Sequence, residues 1–361
     1  MEREKMVVTD ISKVLSKKPL IISGPCSAET EEQVLATAIR LKATGKVDVL
    51  RAGIWKPRTR PGSFEGVGVQ GLPWLQQAKE ITGLPTAIEV ATGKQVEEAL
   101  KHDVDILWVG ARTTVNPFSV QEVADALQGV KVPVLIKNPI NPDLELWGGA
   151  VERVAKAGVE KIGLIHRGFS SYGNTEFRNA PMWHLAIDMK LRHPGMLMIN
   201  DPSHICGNRH MLQRVAQKAI DLDFDGVMLE SHVDPDNAWS DAKQQVTPER
   251  LLELLEGINW RTEDAIAPET ITAFEKLRTQ IDHVDDELLQ LVSRRMKLAD
   301  LIGEYKKENN VTILQAKRWT EILERAFNKA EELGLSKEFL TRYFDAIHLE
   351  SINHQTKIYN S

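Results

Sequence analysis

Short apolar runs alternate with longer amphipathic stretches along the first two-thirds of the chain. The runs occupy 20–24, 47–53, 85–90, 106–110, 134–137, 161–166, 196–201 and 226–230, and each ends in or beside a polar cluster. Near-continuous apolar strands separated by helix-length segments are buried on both faces, the pattern of parallel strands with helices packed outside them. Eight strand–helix units in roughly 240 residues predict an α/β fold, a (β/α)8 TIM barrel. An open doubly wound sheet is the alternative. The barrel is preferred because chemically active side chains stand at the C-terminal ends of nearly all eight runs.

Around residue 257 the alternation stops. From Phe274 through Leu277, Ile281, Val284, Leu288, Leu291, Leu298, Ile302 and Tyr305, apolar residues recur three or four apart with one gap of seven. That spacing predicts one long amphipathic helix. Two shorter helical stretches follow, at about 314–333 and 336–358, with Gly334 between them. The expected organisation is a barrel over 1–257, a linker over 258–268 and an all-α domain of three helices over 269–361.

Composition narrows the class. Apolar residues make up 42% of the 361, enough for packed cores, and the net charge of −6 argues against a nucleic-acid or polybasic membrane-surface protein. Two cysteines, Cys26 and Cys206, are no disulfide framework and point to a reducing compartment. With no apolar stretch of membrane-spanning length and no apolar leader after Met1, a cytoplasmic protein without membrane partners is expected.

Two sets of strand-end residues carry chemistry. Cys26 follows the first run, His204 the seventh, Glu230 ends the eighth, and Asp241 lies eleven residues further on. A single cysteine after a strand is ordinarily a small buried apolar residue. Thiol, imidazole and two carboxylates meeting at the mouth of a closed barrel instead suit a divalent transition metal with Lewis-acid duty. The second set is cationic: Arg51, Lys56, Arg58 and Arg60 around the second run, Arg112 after the fourth, Lys137 ending the fifth and Arg167 after the sixth. Any one of these alone reads as a solvated charge. Gathered at one mouth they repel each other unless anions bind there, and Arg with Lys suits small, multiply charged phosphates.

Cations also mark the long helix of the tail. Arg295 and Lys306 are eleven residues apart, about three turns, and share a face. Arg278 lies roughly 25 Å from Arg295 along the same helix at ~1.5 Å per residue. A second chain packed antiparallel would bring its own Arg278 to that site, so a homodimer or higher homo-oligomer is expected.

The segments Gly24-Pro25-Cys26-Ser27, Arg51 through Lys56-Pro57-Arg58-Thr59, Gly110-Ala111-Arg112, Asp201-Pro202-Ser203-His204 and Glu230…Asp241 resemble the type I, short-barrel branch of the 3-deoxy-D-arabino-heptulosonate 7-phosphate (DAHP) synthase family over about 15–257. The resemblance implies Cys26, His204, Glu230 and Asp241 as metal ligands, the ion being manganese first, with iron, cobalt or zinc as alternatives. It implies phosphoenolpyruvate on Arg51, Lys56, Arg112, Lys137 and Arg167, and erythrose 4-phosphate on Arg58 and Thr59. Lys56 is then the catalytic candidate for proton handling, while Pro57, Gly110 and Ala111 complete the binding motifs. The sister enzyme that uses arabinose 5-phosphate ranks second, because an Asn-Arg type motif replaces Lys-Pro-Arg-Thr there. Arg60 stands where a serine is commoner.

The tail, over about 268–358, resembles the all-helical chorismate mutase family: Leu277-Arg278-Thr279-Gln280-Ile281-Asp282, Arg294-Arg295, Ile302-Gly303-Glu304-Tyr305-Lys306 and the stretch through Ser351 to Gln355 carry the likeness. It implies Arg278 of a second chain, Arg295, Lys306 and Arg318 as the chorismate-binding cations. Ser351 is then a carboxylate contact, and Gln355 a donor to the ether oxygen with Lys306. Gln315 and Trp319 stand where acids occur in the family. The alternative is a tail that serves only as a dimerisation or ligand-sensing module. Two regulatory expectations follow. Prephenate or chorismate bound to the tail inhibits the synthase, and Cys206 pairs with Cys26 on oxidation, ejecting the metal.

Overall fold

Eight parallel strands close into a barrel in chain order. They are β1 (Leu20–Gly24), β2 (Val49–Arg51), β3 (Thr86–Val90), β4 (Ile106–Val109), β5 (Val134–Lys137), β6 (Ile162–His166), β7 (Leu197–Asn200) and β8 (Gly226–Glu230). The computed structural model describes residues 10–56, 62–173, 176–261 and 268–360, the side chains of 268–273 and 316 excepted. Each expected apolar run contains one strand, and β1 pairs with β8 from Leu20↔Gly226 to Gly24↔Glu230 to complete the ring. Gly24 has no alternative there: a Cβ would lie 1.9 Å from the Arg51 carbonyl oxygen.

The pleat sorts each strand into two faces. Leu20, Ile22, Val49, Ala87, Ile106, Trp108, Leu135, Ile165, Ile199 and Met228 fill the barrel interior, and the short helix Ile11–Leu15 packs Val14 against the same cluster. Their outward neighbours, such as Ile21, Leu50, Ile88, Leu107, Ile136, Leu164 and Val227, meet the surrounding helices. Two residues beyond the interior series, at the C-terminal end, the same register places Arg51, Glu89, Lys137, Arg167, Asp201 and Glu230. The fold therefore turns a hydrophobic plug into a polar mouth within one strand step.

His166 belongs to the outward set. It is buried against Phe169, Trp183 and Phe224, with Nε2 on the Pro181 carbonyl at 2.6 Å. Burial pushes its pKa from the ordinary 6.5 down to about 4. Between those values the unfolded chain takes up a proton that the folded chain refuses, so this stabilisation is complete above pH 6.5 and is lost as pH falls toward 4. At about 1.4 kcal/mol per pH unit the loss amounts to roughly 3 kcal/mol. Urea titrations at pH 7 and pH 4.5 should show a smaller drop in midpoint for His166→Gln than for the wild type; equal drops would contradict the assignment.

The chain forms two compact units, Met1–Glu263 and Asp264–Ser361. The second consists of three helices, α1 (Pro268–Glu308), α2 (Ala316–Ala330) and α3 (Lys337–Asn360), with Gly334 in left-handed backbone before α3. α1 and α3 pack along each other around Met296, Ala299 and Ile347. At Gly303 the two backbones approach so closely that a Cβ would lie 3.1 Å from Gln355 Cγ. No helix among the described residues is long and apolar enough to cross a membrane.

Candidate active site

At the barrel mouth Cys26, His204, Glu230 and Asp241 come together. Cys26 Sγ stands 3.2 Å from Asp241 Oδ2, and His204 Nε2 stands 3.7 Å from Glu230 Oε1. Each pair lies within electrostatic reach of the other. Three of the four also meet cations: Lys56 Nζ donates to Cys26 Sγ at 3.0 Å, Arg51 Nη1 to Glu230 Oε1 at 2.8 Å, and Arg178 Nη1 to Asp241 Oδ1 at 3.0 Å. In that arrangement no three His, Cys, Asp or Glu side chains among the described residues share ligating geometry. As a donor set they nevertheless fit a divalent transition ion: one thiol, one imidazole and two carboxylates, with the rest of the cage supported by hydrogen bonds.

That support is extensive. His204 lies on the helix Pro202–Cys206, whose N-cap Asp201 accepts from the His204 amide and from Nδ1 at 3.0 Å. Nδ1 therefore carries the proton, and the Nε2 lone pair faces Glu230. Burial lowers the His204 pKa against the pull of Asp201, favouring the neutral ring. Burial would raise Asp201, but His204 and Lys137 hold it well below the usual carboxylate range. Gln244 Nε2 donates to Glu230 Oε2 at 2.7 Å, and its Oε1 accepts from Arg178 at 2.7 Å. Gln245 Oε1 accepts from the Cys26 amide at 2.9 Å, tying the loop after β8 to the loop after β1. Asp241 sits in left-handed backbone, φ 47°, a conformation that a side chain resists and that these contacts enforce. Burial, with Glu230 and Asp241, pushes the Cys26 thiol up to about 12.

The cations line the same mouth. Arg51 and Lys137 flank the indole of Trp108 at 4.9 and 5.6 Å from its centroid, and Trp108 Nε1 donates to Glu89 at 3.0 Å. Lys137 pairs with Asp201 at 2.8 Å, both buried. The Nε of Arg51 is buried without a hydrogen-bond partner. Arg167 is buried, its amide fixed by Asn138 Oδ1 at 2.7 Å. Burial, with Arg178 and Arg112 as like charges, brings its pKa down to about 10. Burial depresses the Lys56 ammonium too, but Cys26 and Glu230 outweigh it and keep the group protonated. Gly110 packs against the Glu89 carboxylate and opens the short helix Ala111–Thr114 that carries Arg112. Pro57, Arg58, Thr59 and Arg60 lie outside the described residues. Cys206 and Cys26 are both buried and free.

On the helical unit, Arg295 Nη1 donates to Ser351 Oγ at 2.5 Å, and Lys306 Nζ to Gln355 Oε1 at 3.2 Å and to the Ile313 carbonyl at 2.5 Å. Four of the expected residues are thus joined across α1 and α3. Arg278 and Arg318 are not brought to them; they are exposed and paired with Glu275 and Glu321.

Sequence reasoning missed several site residues. Asp201 and Glu89 were readable, since they continue the inward series of β7 and β3. Arg178, Gln244 and Gln245 lie in loops, where no periodicity marks them.

A closed parallel barrel whose mouth combines buried cations with a thiol–imidazole–carboxylate set defines a barrel enzyme for anionic substrates. The profile of the DAHP synthetase I family matches residues 5–267 and that of chorismate mutase type II matches 277–356; the chain belongs to the DAHP synthetase I family and carries a chorismate mutase domain. It is an enzyme of aromatic biosynthesis, in a family that is generally metal-dependent. A phospho-2-dehydro-3-deoxyheptonate aldolase of Thermotoga maritima is 34% identical over 236 residues, 65% of this chain and 68% of that one. A 2-dehydro-3-deoxyphosphooctonate aldolase of Desulfatibacillum aliphaticivorans is 31% identical, covering 65% and 89%. The crystal structure of the Thermotoga maritima DAHP synthase superposes with a TM-score of 0.59 at 30% identity, covering 66% and 67%.

Proposed function

We propose that the barrel condenses phosphoenolpyruvate with erythrose 4-phosphate to DAHP and phosphate, that the helical unit rearranges chorismate to prephenate, and that the two meet at the linker 258–268. The observation that carries the first reading is the convergence of Cys26, His204, Glu230 and Asp241 beneath Arg51, Lys137 and Arg167. A divalent ion held by those four donors would supply Lewis acidity to the aldehyde carbonyl. Lys137, Arg167, Arg112 and the spare Nε–H of Arg51 hold the phosphate and carboxylate of phosphoenolpyruvate. They thereby align its C3 with the aldehyde carbon. Lys56, protonated beside the Cys26 sulfur, is placed to hand a proton to the oxygen that gains charge as the carbon–carbon bond forms. Arg58 and Thr59 take the aldehyde's phosphate.

The mutase needs no nucleophile: Arg295, Lys306 and Gln355 hold the diaxial dicarboxylate and donate to the ether oxygen as its bond breaks. An apolar seam at Leu277, Ile281, Val284, Leu288, Leu291, Leu298, Ile302 and Tyr305 is largely exposed, and Arg295 occupies the heptad position inside it. A second copy lying antiparallel on that seam buries it and delivers Arg278 to the partner's Arg295. Prephenate bound to this unit inhibits the synthase through domain docking, and the protein works in the cytoplasm.

Relatives named 2-dehydro-3-deoxyphosphooctonate aldolase support a second reading, with arabinose 5-phosphate as the aldehyde. A two-substrate assay with each aldehyde, with and without chelator and again with prephenate, decides. The first reading expects phosphoenolpyruvate consumption with erythrose 4-phosphate, abolished by chelator and restored by manganese. Turnover with arabinose 5-phosphate alone would replace it.

A further inference from the structure

Helix α3 presents more than Ser351 and Gln355 to the α1 cations. His348 lies three residues before Ser351 and seven before Gln355, on the same helical face. Its Nε2 is buried and has no hydrogen-bond partner. Its ring stacks on the indole of Trp319 from α2, with centroids 4.3 Å apart and planes 18° apart. Two independent elements thus converge beside Arg295 and Lys306 on one imidazole with a nitrogen left over. Buried polar nitrogens in folded proteins are nearly always hydrogen-bonded, so one without a partner calls for an explanation.

We infer that His348 is a specificity-determining residue of the mutase site, its Nε2 bonding the ring hydroxyl of the substrate while Trp319 fixes the imidazole plane. The inference rests on the mutase reading. The substrate's two carboxylates match the guanidinium and ammonium groups, and its ether oxygen matches Lys306 and Gln355. The alcohol is the remaining polar group, and a neutral imidazole, able to donate or accept, suits a neutral alcohol better than a further cation does. Burial, with Arg295 and Lys306 close by and only Asp345 opposing them, lowers the His348 pKa and favours that uncharged form. The residues that begin α2 beside Arg318, the N-cap Gln315 and Trp319, are both uncharged, so neither supplies a carboxylate for this alcohol.

The test uses the full chain with chorismate and with its analogue lacking the ring hydroxyl. His348→Phe keeps the stack on Trp319 and removes the nitrogen. It should lower kcat/KM for chorismate by roughly 10- to 100-fold and leave kcat/KM for the analogue within about twofold of wild type. His348→Gln, which restores a side-chain donor and acceptor, should recover part of the loss with chorismate. Equal losses on both substrates would make His348 a packing residue and overturn the inference, and so would undiminished turnover of chorismate by His348→Phe. A wild-type chain that turns over neither compound would instead remove the mutase reading.

Discussion

Cys26→Ala should lower kcat/KM of the synthase by about a thousandfold while chorismate turnover stays at the wild-type value. Cys26 is fully buried and sits between the ammonium of Lys56 and the carboxylate of Asp241. Its loss removes the soft donor of the set and leaves two carboxylates and an imidazole, a weaker and less selective cage for a transition ion. The packing penalty of so small a truncation is modest beside that effect. Phosphoenolpyruvate consumption and chorismate absorbance, followed on one preparation, separate the two readouts, and metal content after dialysis should fall with the first. A variant that keeps a tenth or more of synthase activity would show that the reaction does not depend on this thiol.

Arg295→Ala is expected to lower chorismate kcat/KM by a similar factor, about a thousandfold, with synthase activity unaltered when no effector is present. The guanidinium reaches Ser351 across the α1–α3 interface and stands inside the apolar seam, so truncation removes both the cation proposed to hold the substrate and the tie that orients Ser351. Arg295→Lys should recover little, since a point charge cannot reproduce the planar fork. Mixing Arg278→Ala with Arg295→Ala chains extends the test to the second copy. If each site takes Arg278 from one chain and Arg295 from the other, random pairing of two inactive variants restores about a quarter of wild-type turnover. No recovery after subunit exchange would mean that each site is built within one chain.

How far the residues announced this arrangement varies with their place. The eight strands could be read because each is an apolar run buried on both faces, which parallel pairing in a barrel demands. Arg51, Lys137 and Glu230 could be read as site residues because a charge that ends such a run has the inner mouth open to it. Trp108 could not, since an indole inside an apolar run looks like core and its role appears only once Arg51 and Lys137 are seen on either side. Arg178 and Gln244 come from loops, and the contacts that bring them to Asp241 and Glu230 span 63 and 14 residues with no repeating pattern to foretell them. In the tail the seam and the cations of α1 were legible from spacing, whereas His348 was hidden because a histidine on a helix rich in polar residues carries no signal by itself. Its alignment with Ser351 and Gln355 gains meaning from the Trp319 ring, which arrives from another helix.

The placing of Trp108 gives the barrel an optical reporter. Of the eight tryptophans, Trp108 and Trp147 are wholly shielded from solvent, and Trp108 is the one clasped by Arg51 and Lys137. Any ligand that draws Arg51 or Lys137 toward itself alters the field across the indole, so filling of the mouth changes the colour and intensity of its emission without an added dye.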